Sequence, residues 1–84
     1  MRSGTVMFYT YILQLDNNSF YIGYSSNLKQ RHEYHKSGRV KTTKNSKKIK
    51  LVFYAAFDKK SLAISFEKYL KSSSGFAFRN KHLI

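Results

Sequence analysis

A two-strand pattern near the N-terminus places the strongest constraint on how this chain folds. Residues 8–15 fall into two interleaved sets, which is the period-two pattern of a β-strand with two different faces. One set is Tyr9, Tyr11, Leu13 and Leu15, and the other is Phe8, Thr10, Ile12 and Gln14. The Asp-Asn-Asn-Ser cluster at 16–19 is typical of a turn, and residues 20–24 form a second strand-like run. The sequence therefore predicts a β-hairpin that places Tyr11 and Tyr21 near each other across the strand pair.

A short helix is predicted directly after the hairpin. Asn27 and Gln30 have the spacing of a capping box, so the helix begins at Leu28. Gly38 suits the left-handed position beyond a helix end, and we therefore expect the helix to stop near Ser37 after about two to three turns.

One face of this helix carries an unusual set of side chains. Leu28, Arg31, His32 and His35 are spaced so that they share that face, and such a set is not an ordinary apolar core stripe. In the alternative interpretation Leu28 alone packs, and the three basic side chains are solvated.

The second half of the chain predicts a buried strand and a second helix. The continuous apolar run at 51–57 is typical of a strand buried on both faces, and we expect it at the centre of the sheet. Asp58 is expected to N-cap a helix that runs to about Ser72. Residues 76–84 are too apolar for a free tail, so we expect them to dock on the body through a short helical turn.

Charge and composition limit the classes of function. The 84 residues fit one domain, 1–84, in which we expect residues 1–7 to be flexible. Sixteen basic residues against four acids give a net charge of +12, which favours a polyanionic partner; nucleic acid comes first and an anionic membrane surface second. The chain shows neither an apolar run of about 20 residues nor an N-terminal leader pattern, and it has no Cys, so we expect a cytoplasmic protein with no membrane association.

The small number of carboxylates restricts the metal chemistry. Asp16, Glu33, Asp58 and Glu67 are the four acids, and two of them have predicted roles in a turn and at a helix start. Sites that hold two metal ions need several anionic ligands, so any metal is expected to be a single ion.

Glu67 is an acid whose position on its helix is unusual. Its spacing from Ala63 and Leu70 puts a carboxylate on or beside the apolar face of the second helix, where an unpaired charge is costly. A metal ion or a cation would satisfy it. In the alternative interpretation it is a surface residue paired with Lys71 at i+4.

A basic segment at 39–50 joins two elements of the domain, so a role in phosphate contact is favoured over a merely solvated loop. From this segment we expect nucleic-acid contacts by Lys41, Thr43, Lys44, Lys47 and Lys48.

The hairpin and helix residues can together support phosphodiester hydrolysis. That reaction needs an activated water, neutralised phosphoryl oxygens and stabilisation of the leaving oxygen. Tyr11 or Tyr21 could be the base if nearby cations lowered the phenol pKa. Arg31 offers paired donors to a phosphate, His35 is a candidate proton shuttle or phosphate ligand, and Glu67 could hold one divalent cation with water and phosphate.

The ordered series Tyr9-Thr10-Tyr11, Tyr21-Ile22-Gly23, Arg31, His35 and Glu67 resembles the GIY-YIG nuclease superfamily over roughly residues 8–84. It most resembles the small stand-alone bacterial members that are similar to the N-terminal nuclease domain of the bacterial excinuclease. The resemblance implies an α+β fold, an α/β sandwich with a three-stranded antiparallel sheet flanked by helices. This agrees with the element order β-β-α-β-α plus a docked C-terminal segment.

The resemblance also implies roles for single positions. Tyr11 and Tyr21 match the tyrosines of the two triplets, Tyr21 being the preferred base with Tyr11 close behind. Arg31 matches the arginine that contacts the scissile phosphate, and His35 matches the His or Tyr four residues later. Glu67 matches the single glutamate that binds the metal, here Mg²⁺ or Mn²⁺.

Three further positions differ in how they relate to the family pattern. Asn80 is similar to a C-terminal polar position of some members, and we expect it to contact nucleic acid. Tyr24 stands where excision-repair members often place Lys and is expected to contact nucleic acid as well. Tyr9-Thr10 replaces Gly-Ile, and His32 occupies a position that is often apolar in relatives.

The first hypothesis is therefore a divalent-metal-dependent endonuclease that acts on DNA in repair or processing and selects its substrate by structure or strand. The second is a non-catalytic nucleic-acid-binding module that keeps the same fold, and a membrane-surface protein is the third. A protein partner could supply targeting, and the sequence leaves the oligomeric state open.

Overall fold

The computed structural model describes residues 6–38 and 47–84, so the expected contacts of Lys41, Thr43 and Lys44 and most of the expected flexible lead-in lie outside the described residues. The elements in chain order are β1 (Phe8–Leu15), β2 (Phe20–Ser25), α1 (Leu28–Lys36), β3 (Ile49–Phe57), α2 (Lys60–Lys71) and α3 (Ser73–His82).

The three strands form one antiparallel sheet in the order β2-β1-β3. The predicted hairpin and fold class are confirmed, but the prediction that the third strand lies at the sheet centre is wrong. β1 is central, with Ile12 and Leu13 fully buried, and β3 is an edge strand. The two faces of β3 are not covered equally by helices. Tyr54 is 53% exposed on the face that the nine-residue α1 covers.

The second helix covers one face of the sheet. The Thr10 hydroxyl donates a hydrogen bond of 2.6 Å to the carbonyl of Ala63 in α2. Leu70 of the same helix packs with Ile12 and Ile22 in the hydrophobic core. The side chains of β1 therefore point to two faces as the sequence predicts, and one set, which includes Thr10 and Ile12, is buried under α2.

The first helix covers the opposite face, which carries Tyr9 and Tyr11. His35 of α1 is fully buried, and its ring contacts the rings of Tyr11 and Tyr21 edge-on. Helices on both faces of a small sheet give the sandwich that the sequence predicts.

The ends of the first helix follow the predicted chemistry. The Asn27 side chain accepts a hydrogen bond of 3.0 Å from the backbone N–H of Gln30, which is an N-cap. Ser37 is the C-terminal cap, and Gly38 has a φ of 79°, the left-handed conformation that glycine adopts without a Cβ penalty.

The start of the second helix differs from the prediction. Asp58 is not its N-cap; Lys59 holds that position in an extended conformation and makes no side-chain capping bond. The chain thus remains extended for one residue longer than the sequence pattern predicts.

The C-terminal segment docks as predicted, but through a complete helix of ten residues and not a short turn. The Ser72 hydroxyl accepts a hydrogen bond of 3.2 Å from the N–H of Gly75 and so starts α3. The serine cluster that predicts a helix end is therefore also a helix start. None of the helices within the described ranges is long and apolar enough to cross a membrane.

Gly75 is the point where α3 contacts α2 most closely. A Cβ at this position would overlap the backbone carbonyl of Tyr69 and lie 2.7 Å from the Cα of Leu70. Because these neighbours are backbone atoms, they cannot move aside as a flexible side chain would.

We expect Gly75→Ala to lower the free energy of unfolding by about 1–3 kcal/mol, since the two helices must separate. Urea denaturation followed by circular dichroism measures this change. Ser74→Ala, at the neighbouring exposed position, is the matched control and should stay within about 0.5 kcal/mol of the parent. Equal stability of the two variants would contradict the close helix contact.

Candidate active site

The ring of Tyr11 lies directly on the backbone of the neighbouring strand. Tyr11 pairs with Gly23 across the hairpin, and a Cβ at Gly23 would come within 2.5 Å of the Tyr11 Cζ atom. Tyr11 is only 1% exposed, so its ring has little room to move away. The glycine of the second triplet is thus needed because it gives the first tyrosine its position.

Two basic side chains from the first helix contact the hydroxyl of Tyr11. The Oη atom lies 2.9 Å from Nε2 of His35 and 3.3 Å from Nε of Arg31. A guanidinium can only donate, so the phenol oxygen accepts from Arg31. The phenol hydroxyl therefore donates its hydrogen bond to Nε2 of His35, and Nε2 is then the acceptor nitrogen of a neutral imidazole.

Tyr21 joins the same cluster from the neighbouring strand. Its ring centroid is 4.8 Å from that of His35 and 6.3 Å from that of Tyr11. The pKa of Arg31 is raised, first by its hydrogen bond to Tyr11 and also by hydrogen bonding to Tyr21. The structure therefore brings together four of the five predicted catalytic residues: Tyr11, Tyr21, Arg31 and His35.

Burial governs the protonation of the two innermost groups. It lowers the pKa of His35 to about 4, and the electrostatic interactions with Arg31 and His32 act in the same direction. Burial also raises the pKa of Tyr11 and outweighs the opposing hydrogen bond from Arg31. The expectation that nearby cations lower the phenol pKa is therefore wrong for Tyr11, because desolvation is the larger effect.

Glu67 approaches from the helix on the other face of the sheet. Its carboxylate is 3.1 Å from the ammonium of Lys71, so the predicted i,i+4 pair is present. Its negative charge nevertheless contributes to raising the pKa of Tyr11, so it acts within electrostatic range of the phenol. Lys71 also lines a groove of about 410 Å³ along β2, together with Tyr21.

A single divalent cation fits the donors present near this cluster. The described residues contain no group of three or more potential metal-ligating side chains. Mg²⁺ does not need one, since it is commonly held by one or two carboxylates, with waters and substrate phosphate completing its shell. The competing Lys71 is 55% exposed, and such surface pairs are weak. The pair with Lys71 is therefore a weak competitor for any metal ion at Glu67.

The other predicted contact residues lie apart from the cluster. Tyr24 stacks on Phe8, on the face opposite to Tyr21. Asn80 is exposed on α3. The side chains of Lys47 and Lys48 are exposed, and the backbone N–H of Lys47 donates to the turn carboxylate of Asp16 over 2.8 Å. These side chains lie on three different parts of the fold: β2, α3 and the segment just before β3.

Sequence reasoning missed a second concave region beside the cluster. A cavity of about 470 Å³ lies between α1 and the sheet, and Tyr9, His32 and Tyr54 are among its lining residues. One signal was present in the sequence, because His32 is a polar residue on the inward-facing side of α1. The two tyrosines provided none, since strand aromatics usually belong to a core.

Comparison with known proteins identifies relatives of this chain. Residues 7–81 match the family model described as the GIY-YIG catalytic domain. A UPF0213 protein of Pediococcus pentosaceus is 35% identical over 79 residues, covering 89% of this chain and 83% of the relative. A UPF0213 protein of Limosilactobacillus reuteri is 33% identical over 67 residues, covering 76% of this chain and 70% of the relative.

A solved structure is similar as well. The solution NMR structure of a UPF0213 protein from Bacillus halodurans is 29% identical and superposes with a TM-score of 0.57, covering 89% of this chain and 83% of that protein. Since the family model spans most of the sequence and the triplet tyrosines, Arg31 and His35 meet in one cluster, the chain belongs to the GIY-YIG catalytic domain family of endonuclease-type domains.

Proposed function

We propose that this protein is a divalent-metal-dependent endonuclease that hydrolyses DNA phosphodiester bonds in repair or processing and selects its substrate by structure or strand. One observation carries the proposal: the Arg31 side chain comes from a different element than the hairpin tyrosines, yet it bonds to Tyr11 at 3.3 Å and also interacts with Tyr21. A fixed guanidinium beside two phenols is suited to neutralising a phosphate next to an activated water.

Arg31 is assigned to the scissile phosphate. It is partly buried and its Nε donates to Tyr11, but the guanidinium carries five N–H donors in all, so donors beyond those used by the two tyrosines are suited to phosphate oxygens. The bond to Tyr11 fixes the orientation of the guanidinium before substrate binds, which reduces the entropy lost in the transition state.

Tyr21 is assigned as the base that accepts a proton from the attacking water, and Tyr11 as a residue that orients Arg31. The reason is that the raised pKa of Tyr11 keeps its proton in place, where His35 accepts a hydrogen bond from it. Tyr21 is less buried and lines the groove that a substrate strand can enter.

Glu67 is assigned to the metal ion, Mg²⁺ or Mn²⁺. A bound divalent cation supplies charge neutralisation for the phosphoryl and leaving oxygens. Lys71, when released from Glu67, lies beside Tyr21 in the groove and can contact a neighbouring phosphate.

Affinity for DNA is assigned to the wider basic surface. The net charge of +12 supports counterion release as the source of binding free energy. Among the described residues, the exposed Lys47, Lys48 and Asn80 are proposed as backbone contacts. Tyr24, which stacks on the other face, is proposed as a contact only at the rim of the sheet.

A non-catalytic nucleic-acid-binding module is the second candidate. The observation that favours it is the ion pair between Glu67 and Lys71, which occupies the carboxylate. In such a module the same basic surface would bind DNA without cleavage.

Cleavage of a substrate panel separates the two functions. Single-stranded, duplex, flapped and branched DNA should be incubated with Mg²⁺ or Mn²⁺ and the protein. We expect cleavage, and a loss of at least about 100-fold in Arg31→Ala and Glu67→Ala, because the first removes the cation beside the reacting phosphate and the second removes the proposed metal ligand. DNA binding by Glu67→Ala, measured by fluorescence anisotropy without metal, should persist.

The matched control is Glu33→Ala, which removes an exposed carboxylate from α1 and should leave the rate within about two-fold, since exposed surface changes are small. Cleavage by Glu67→Ala at the parent rate would refute the metal assignment. Binding by the parent without cleavage of any substrate would support the non-catalytic module instead.

Gly23→Ala tests whether Tyr11 is positioned by the strand backbone. The added methyl group overlaps the Tyr11 ring, so we expect a loss of about 1–3 kcal/mol in the free energy of unfolding and a fall of about 100-fold in cleavage rate. Urea denaturation and initial rates give the two values. Adding Tyr11→Leu to Gly23→Ala makes room, so the double variant should regain stability but not activity; no regain would mean that the overlap is with another group.

Acid should destabilise the fold through His35. The pKa of His35 is about 4 in the folded chain against about 6.5 when unfolded, so the folded state resists protonation. The resulting stability is complete above pH 6.5 and is lost as pH falls towards 4, with an upper limit of about 3 kcal/mol. Urea denaturation at pH 7, 5.5 and 4 measures the slope.

His35→Gln removes this titration, so its stability should fall less steeply over the same pH interval. His82→Gln, which changes an exposed histidine on α3, is the control and should keep the parent slope. Parallel curves for the parent and His35→Gln would contradict burial of a neutral His35.

A further inference from the structure

The cavity beside the catalytic cluster has the features of a ligand site. Its volume of about 470 Å³ falls within the ~300–1,000 Å³ range of small-molecule pockets. It opens between the start of α1 and the sheet, and its walls combine aromatic, aliphatic and basic groups: Tyr9, Leu28, Lys29, His32, Leu51 and Tyr54. None of the described residues that line it is acidic, so these walls suit neither a metal ion nor a cationic ligand.

Two tyrosines give the cavity a surface for stacking. The rings of Tyr9 and Tyr54 meet edge to face, with centroids 6.1 Å apart, and both line the cavity. Tyr54 is 53% exposed although it lies on a strand. A large exposed aromatic ring at the mouth of a cavity is a platform on which a planar group can stack.

His32, one of the residues that line the cavity, has a buried polar atom without a hydrogen bond. In the described part of the chain, Nε2 of His32 is buried and has no hydrogen-bond partner. A buried polar atom without a partner is unfavourable, and a ligand with ring nitrogens or carbonyl oxygens could satisfy it after a small rotation of the imidazole. The cavity therefore combines stacking with a hydrogen-bonding group, as a nucleobase requires.

The cavity and the cluster assigned to the scissile phosphate are built on the same strand and helix, β1 and α1. Tyr9 and Tyr11 lie two residues apart on the same face of β1, which is about 7 Å along the strand. His32, which lines the cavity, directly follows Arg31 on α1. The spacing along the strand is close to that of successive nucleotides, so a strand held at Arg31 can place a neighbouring base in the cavity.

The geometry points to a binding site in this cavity for one unpaired nucleobase, stacked on Tyr54 next to the phosphodiester that Arg31 holds. The inference rests on the proposed nuclease function and makes it more specific. A base inside a duplex is stacked on both sides and cannot enter, so the strand at the cleaved position is single-stranded or flapped.

Binding of two strands with equal charge tests the inference. A labelled single strand of about ten nucleotides and a matched strand of abasic sites carry the same phosphates, so only base contacts separate them. We expect the parent protein, without metal, to bind the base-bearing strand about ten-fold more tightly by fluorescence anisotropy. Tyr54→Leu should bring the ratio of the two affinities, base-bearing strand to abasic strand, close to one and leave the affinity for the abasic strand unchanged.

Matched variants exclude indirect effects. Tyr54→Phe keeps the ring and should keep the ratio. Tyr69→Leu removes another exposed ring from α2, which packs on the other face of the sheet, and should also keep it. A 2-aminopurine in the base-bearing strand gives a second measurement: its emission should fall on binding to the parent protein and not on binding to Tyr54→Leu.

The outcomes separate this inference from the proposed function. Cleavage of DNA together with a ratio that Tyr54→Leu does not change would overturn the base site alone. A ratio that depends on Tyr54, in a protein that cleaves no substrate, would support the base site and remove the nuclease function. Equal binding of both strands by the parent protein would also overturn the base site.

Discussion

The contact between the Tyr11 ring and the Gly23 backbone is the constraint on which the rest of the site depends. Tyr11 is the residue that touches all the others: its hydroxyl meets His35 and Arg31, and its ring lies near that of Tyr21. If a side chain at position 23 displaced the ring, the helix residues would lose the group that orients them. The two triplets are therefore one structural unit, because the glycine of the second makes space for the tyrosine of the first.

Burial then decides what each group in the cluster can do. A fully buried imidazole with a pKa of about 4 is neutral, and it can accept the hydrogen bond of a phenol whose own pKa is raised by desolvation. The positive charge remains on Arg31, whose pKa is raised by the same phenol. The cluster is thus a neutral pair of side chains beside the cation of Arg31, which fits the phosphate role that we propose for this guanidinium.

The sequence predicts this arrangement where the pattern is local and fails where tertiary packing decides. The hairpin, the Asn27 cap and the end of α1 at Gly38 follow from short-range signals and are confirmed. The prediction that β3 lies at the sheet centre is wrong, because an apolar run does not reveal whether one neighbouring strand or two will pair with it. The length of α3 was missed because Ser72 ends one helix and starts the next, and only the packing of Gly75 against α2 makes the second helix evident. The raised pKa of Tyr11 could not be foreseen either, since it depends on how deeply the ring is buried.

The incomplete cover of β3 links the fold to the base site that we propose. The cavity lies between the start of α1 and the sheet, and Tyr54 of β3, which lines it, is 53% exposed. The same helix carries Arg31 and His35, which meet Tyr11 on the neighbouring strand. A duplex presents its phosphates but not its base faces to such a surface, whereas an unpaired strand presents both. In the proposed function, the combination of a guanidinium and an exposed aromatic ring on one face of the sheet is therefore the feature that distinguishes strands by structure.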